Sequence, residues 1–271
     1  MRRTVVTAAS TRSARTFTGE RPGHGEYFEY DEARHRAAYL HARELARDHD
    51  VLDAGCGEGF GTALLAETAR TVLAVDYSAP AVETARAQHV RPHFEFRQLD
   101  LYDLPKLDRR FDLVTNFQVL EHLTEPTGFL RALRSVLKPD GMLMLTTPNR
   151  LTTVSENPYH VREYVAEELR ELLQPLFGRV EIASVLGNDR VRAFDAERKR
   201  QVDRILRLDP LGLRKLLPER LVKFTFARLS VLVRRRIAGN VAESREITPA
   251  DFTVVPESRP DALDLVAFCR P

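Results

Sequence analysis

From residue 50 onward, short apolar runs alternate with segments of helical period. Val51 to Ala54, Thr71 to Val75, Phe94 to Phe96, Phe111 to Thr115 and Met142 to Thr146 each read as a strand. Runs this nearly continuous in apolar residues suit a sheet buried on both faces. Between them, Phe129, Leu130, Leu133, Val136 and Leu137 fall on one side of a helix, which Pro139-Asp140-Gly141 should end. Val165, Leu169, Leu172, Leu173 and Leu176 repeat the pattern before Gly178. Alternating strands and helices predict a parallel α/β sheet. A sixth strand is expected at 180–184, and a last one in Leu263 to Phe268. The stretch between them loses the rhythm and reads as a mostly helical insertion.

The most informative local stretch is Val51-Leu52-Asp53-Ala54-Gly55-Cys56-Gly57-Glu58-Gly59-Phe60-Gly61. A strand runs into a glycine-rich turn and a helix begins at once. Glycines there let backbone approach a ligand, and a helix start offers N–H groups. Asp76 closes the second strand, where an acid can accept from both ribose hydroxyls. The ligand is therefore expected to be an adenosine compound without a 2′-phosphate, which a carboxylate would repel. The glycines sit at alternate positions after Asp53, unlike the G-x-G-x-x-G of dinucleotide sites.

That pattern resembles the class I S-adenosylmethionine methyltransferases, and the likeness runs from about residue 45 to 184. Asp53 and Gly55 to Gly59 match the first motif and Asp76 the second. Gln98-Leu99-Asp100-Leu101 resembles the third. Phe111-Asp112-Leu113-Val114 to Glu121-His122-Leu123 matches the fourth strand and its loop, and Leu137-Lys138-Pro139-Asp140-Gly141-Met142 the lead into the fifth. Thr147-Pro148-Asn149-Arg150, Asn157 to Glu163 and Leu263-Asp264-Leu265-Val266 look most like bacterial methyltransferases of envelope polysaccharides and glycolipids. The resemblance implies a Rossmann-like doubly wound sheet of seven strands with a C-terminal antiparallel strand and a helical insertion before it. It implies S-adenosylmethionine as methyl donor, held by Asp53, Gly55, Cys56, Gly57, Gly59, Asp76, Tyr77, Asp100, Leu101, Asn116 and Gln118. The domain reading is a disordered tail at 1–19, a helical cap at 20–48, the core at 49–184, the insertion at 185–260 and the final strand at 261–271.

The expected reaction is methyl transfer to an acceptor hydroxyl of a sugar, glycan or glycolipid intermediate. A quinol, polyketide or amine acceptor is the alternative. An NAD-dependent oxidoreductase or a non-catalytic binder of the donor lies further off. A hydroxyl is a poor nucleophile and benefits from a base. Glu121 and His122 follow the fourth strand, Asn149 the fifth, and His160 lies in a later loop, so these reach the carboxyl edge where such sheets bind ligands. His122, His160 and Glu121 are the catalytic candidates, since an unperturbed imidazole titrates near 6.5. Tyr27, Phe28, Tyr30 and His35 could close the donor pocket. Quinol and small-RNA methyltransferases resemble E-x-x-E-H at the Glu121-His122 loop. Gln118 stands at the first acid here, so no functional metal is expected, although Glu121, His122 and His160 could form a partial site.

The net charge of +2 hides an asymmetry. Residues 198–237 carry 13 Lys/Arg against 3 Asp/Glu, interleaved with leucines. Such a segment can lie on an anionic membrane surface, or cap the domain, or meet a second subunit in a homodimer. No base-reading motif accompanies it, so nucleic acid is not expected. Two cysteines make no disulfide framework, no run of ~18 apolar residues could span a bilayer, and the Arg- and Ser-rich start lacks a secretory apolar run. A cytoplasmic protein, in part peripheral to the inner membrane face, is the expectation.

Overall fold

A computed structural model describes residues 29–89, 91–154, 157–206 and 247–271. The expected tail at 1–19, Tyr27, Phe28 and most of the basic stretch fall outside these residues.

The chain enters through helix α1 (Glu29–Leu45) and strand β1 (Asp50–Ala54). It continues through α2 (Phe60–Leu65), β2 (Thr71–Asp76), α3 (Ala79–Gln88), β3 (Phe94–Gln98), β4 (Phe111–Phe117), α4 (Pro126–Ser135) and β5 (Leu137–Pro148). Then come α5 (Ala166–Leu173), β6 (Arg179–Gly187), α6 (Asp189–Leu206), β7 (Phe252–Val255) and β8 (Asp264–Arg270). Among the described residues the sheet has eight strands, in the order β3-β2-β1-β4-β5-β8-β6-β7. Strands β1 to β5 run parallel, and β8 lies antiparallel between β5 and β6.

The order reverses between β1 and β4, so the crevice for a ligand opens at the carboxyl ends of those two strands. Alternate residues of β1 serve opposite faces. Leu52 and Ala54 pack in the cluster beneath α4 and α5, and Val51 in the one beneath α1 and α2. Leu52, Leu73, Phe111 and Phe129 are fully buried, each contributing roughly 1.5–3 kcal/mol.

Three expectations need correction. The insertion before the last strand is not purely helical, because Phe252–Val255 adds an eighth strand antiparallel to β6. Leu137 belongs to a strand, paired with Phe111, not to the preceding helix. Pro139-Asp140-Gly141 makes an irregularity inside β5, where the register shifts between Phe111 and Leu113. A Cβ on Gly141 would meet the carbonyl oxygen of Phe111 at 2.8 Å, so only glycine lets the strand recover there.

Candidate active site

The turn after β1 is tied to β2, since the N–H groups of Gly55 and Cys56 both donate to the Val75 carbonyl, at 2.8 and 3.0 Å. Gly55, Gly57 and Gly59 have φ of 91°, 55° and 85°, the left-handed region that side chains disfavour. The surroundings of these glycines differ. A Cβ on Gly59 would strike the Phe96 ring at 2.9 Å, and one on Gly61 the Tyr39 ring at 2.1 Å. Those two are small because the core fills the space. A Cβ on Gly57 would meet nothing within 4 Å, so this is the open side of the cradle. The following helix has only six residues, and the turn's own backbone shapes the site.

Asp53 does not face that opening. Its fully buried carboxylate accepts from Thr62 Oγ1 at 2.6 Å, Thr115 Oγ1 at 2.9 Å and the Tyr39 hydroxyl at 3.3 Å. Burial pushes its pKa up to about 6 against those hydrogen bonds. It organises the turn from below. Tyr39 of α1 completes this support, and nothing in the sequence motif announced it.

The Asp76 carboxylate lies at the opening and accepts from Gly57 N and Ser78 N, both at 2.9 Å. Tyr77 beside it is 73% exposed. Asp100 caps the next turn by accepting from Tyr102 N at 3.0 Å, and Leu101 packs into the core behind it. Cys56 is buried, its thiol directed to the Gly57 carbonyl. Asn116 donates from Nδ2 to the Ala54 carbonyl at 2.7 Å, while its buried Oδ1 accepts no hydrogen bond. An adenosyl amino acid brings ribose hydroxyls and amino groups to donate. An acid at the end of β2, an exposed aromatic ring, an orphaned acceptor and an open glycine fit it.

Gln118 follows directly on β4. It has φ of 56°, rare for a non-glycine residue. Its amide donates to Thr146 Oγ1 at 3.4 Å and to Asp264, which turns it toward β5 and β8.

The second group of side chains stands on the same strand edge. Buried Glu121 accepts from Thr147 Oγ1 at 3.1 Å. The Glu121 backbone carbonyl accepts from Val161 N at 2.7 Å and Arg162 N at 3.2 Å. That strap carries His160 to His122, with ring centroids 5.0 Å apart. His122 Nδ1 meets the Tyr159 carbonyl at 3.1 Å. A carbonyl only accepts, so Nδ1 bears the proton and Nε2 the lone pair of the neutral ring. Nε2 lies 4.0 Å from Glu121 Oε1, and burial raises the Glu121 pKa.

His160 is held on both sides. Asn157 Oδ1 accepts from Tyr159 N, so its Nδ2 is the end that donates to His160 Nε2 at 2.9 Å. His160 Nδ1 donates to Glu163 at 2.6 Å. Burial opposes ionisation of Glu163, but hydrogen bonds from His160 and Thr153 outweigh it and hold its carboxyl below the usual range. Glu121, His122 and His160 each offer one donor atom within 4.8 Å of the others, a set able to grip a divalent ion.

Asn149 and Tyr30 are buried. Asn149 binds the carbonyls of Ala262 and Pro260 and pins the segment before β8. Tyr30 stacks on Phe194 and donates to Asp195 at 2.7 Å, fastening α6 to α1. His35 has its pKa lowered to about 4 by burial and by Arg34.

Residues 52–145 match the family model described as a methyltransferase domain. A Mycobacterium tuberculosis protein described as a probable S-adenosylmethionine-dependent methyltransferase is 41% identical over 169 residues, 60% of this chain and 61% of that one. A ubiquinone biosynthesis O-methyltransferase of Xanthomonas axonopodis is 34% identical over 137 residues, 49% of this chain and 57% of that one. Among solved structures, the cyclase SpnF shares the fold at a TM-score of 0.54 and 19% identity, over 90% of this chain and 83% of that one. The chain thus spans about six-tenths of the length of the first curated relatives it matches. The eight-stranded sheet and its flanking helices make a Rossmann-like α/β fold, the fold shared with SpnF. A fold of this kind carries more than one chemistry, and the reaction has to be argued from the site.

Proposed function

We propose that this chain is an S-adenosylmethionine-dependent methyltransferase acting on a hydroxyl of a sugar, glycan or glycolipid. One observation carries the reading. An imidazole fixed by Nδ1 to the Tyr159 carbonyl stands with Nε2 4.0 Å from a buried acid, on the strand edge that also bears the open glycine turn. When bound, S-adenosylmethionine supplies an electrophilic methyl group on a positively charged sulfur. Gly57 gives it room, Asp76 and Tyr77 hold its ribose side, Asp100 and Leu101 its base, and Asn116 Oδ1 takes a donated N–H. His122 Nε2 removes the acceptor's proton as the hydroxyl attacks. Buried Glu121 balances the charge the imidazole then carries. His160, locked between Asn157 and Glu163, packs against His122 and orients it. None of these roles asks for a metal.

Tritiated methyl incorporation into glycans, quinols, amines and RNA tests the reading. Transfer to a glycan or glycoside, cut by His122→Ala, is the expected result. If neither His122→Ala nor His160→Ala slowed transfer more than about 10-fold, the base assignment would be wrong. Stabilisation of the fold by NAD and not by S-adenosylmethionine would return the oxidoreductase reading.

A quinol acceptor is the second reading, favoured by the 34% identity to a ubiquinone biosynthesis O-methyltransferase. Preferential labelling of quinols in the same screen selects it. Docking of the basic segment on anionic lipid, or on a second copy, falls mostly on residues 207–246, outside the described ones. Among the described residues no helix is long and apolar enough to cross a membrane. Flotation with anionic against neutral vesicles tests the lipid contact.

A further inference from the structure

An arginine and an aspartate face each other over the carboxyl edge of the sheet, and neither belongs to the groups above. Asp264 opens β8 opposite Pro148 of β5. It interrupts the apolar run Leu263 to Val266 and is only 3% exposed. Arg34 reaches it from α1, with Nη1 3.5 Å from Asp264 Oδ1. The pairing is incomplete. Asp264 Oδ1 accepts no hydrogen bond, and Arg34 Nε, in the same guanidinium, donates none. Buried orphans of this kind are rare and ask for an explanation.

The position says what could use them. Gln118, at the end of β4 in its left-handed conformation, donates to Asp264. Glu163, which holds His160, also feels the charge of Arg34. The pair therefore lies in electrostatic reach of the carboxylate that holds His160.

The chemistry of the orphans selects the ligand. One is a donor, the other an acceptor, on two groups already in ion-pair reach. A carboxylate or phosphate could take the Arg34 hydrogen but would meet Asp264 as a like charge. An ammonium group would have the reverse difficulty. A hydroxyl both accepts and donates. We infer that Arg34 and Asp264 bind a second, non-reacting hydroxyl of the acceptor, so that the substrate is a polyol. The hydroxyl accepts from Arg34 Nε and donates to Asp264 Oδ1. Both atoms are closed to water here, and the Arg34 side chain is 18% exposed, so entry involves a swing of that side chain.

This inference rests on the proposed methyltransferase reading, and the experiment separates the two. The natural chain and the double variant Arg34→Met/Asp264→Leu are first titrated with S-adenosylhomocysteine by calorimetry. Neither residue touches the glycine turn, so both proteins should bind it equally. No heat with either defeats the methyltransferase reading itself. Binding of myo-inositol and of methyl glycosides of glucose, mannose, galactose and rhamnose is then followed by saturation-transfer NMR. The natural chain should bind at least one of them, and the variant roughly 10- to 100-fold more weakly.

Melting supplies a readout that a purely structural pair would move the other way. Replacing a poorly satisfied buried ion pair by apolar side chains is often neutral or stabilising. The variant should therefore melt no lower than the natural chain. Polyol binding retained by the variant, no polyol bound by the natural chain, or a marked loss of melting temperature would each overturn the inference.

Discussion

The glycines of the turn offer the sharpest prediction, because the surroundings of each assign it a different task. Gly57→Ala adds a methyl group where nothing lies within 4 Å. Its backbone φ of 55° makes alanine strained, by about 1–2 kcal/mol. Loss of chain freedom in the unfolded state returns about 0.4–1 kcal/mol. The net change is about 0–1.6 kcal/mol, which lowers the melting temperature by up to about 6 °C in a chain of this size. The methyl group nevertheless occupies the face a donor approaches, so affinity for S-adenosylhomocysteine should fall by roughly 10-fold or more. Gly59→Ala carries the same backbone strain and drives its Cβ into the Phe96 ring at 2.9 Å. Overpacking adds about 1–3 kcal/mol, so this variant should melt far lower. Gly59→Ala with Phe96→Leu restores room and should recover part of the loss. Scanning fluorimetry reads the stability and calorimetry the affinity. Native affinity in a well-folded Gly57→Ala protein would show that the donor does not lie against this turn.

Three further outcomes are expected. His122→Ala should lower kcat by about 10²–10⁴-fold with little change in donor affinity, whereas His160→Ala, removing a positioning group, should cost less; an equal loss for both would contradict the division of roles. Asp53 has its folded pKa raised to about 6, against about 3.9 unfolded. The folded state therefore binds the proton first, and Asp53 adds stability as pH falls from above 6 toward 4. Asp53→Asn should flatten that part of the stability curve, with urea titrations at several pH values as the check. Chelation should leave transfer unchanged, and activity that returns only with added divalent ion would make Glu121, His122 and His160 a metal site instead.

Most of the parallel half of the sheet was legible because its central strands are nearly continuous apolar runs, which a buried parallel sheet requires. β7 was not. Phe252-Thr253-Val254-Val255 is four residues long, lies at the edge and is half exposed, so it carries little burial pattern. The glycine spacing was visible, but which glycine faces a ligand depends on Phe96 and Tyr39, which no local pattern connects to it. His122 and His160 could each be nominated from the sequence. Their contact depends on the backbone strap from Val161 and Arg162 to Glu121, a non-local hydrogen bond. Asp264 left a trace, a charge inside an apolar run. Its partner Arg34 sits in the first helix, and only the folded chain brings the two together.

The placement of β8 also governs how the protein is made. It is synthesised after β6 yet lies between β6 and β5, so β6 cannot join the sheet, in which β5 already pairs with β4, until it arrives. While the ribosome is still translating, β5 presents an open edge bearing Leu143, Met144 and Leu145, a template on which stray strands can pair. A nascent chain of this fold is exposed to aggregation until its final strand is inserted, and a shielding chaperone would matter most during that interval.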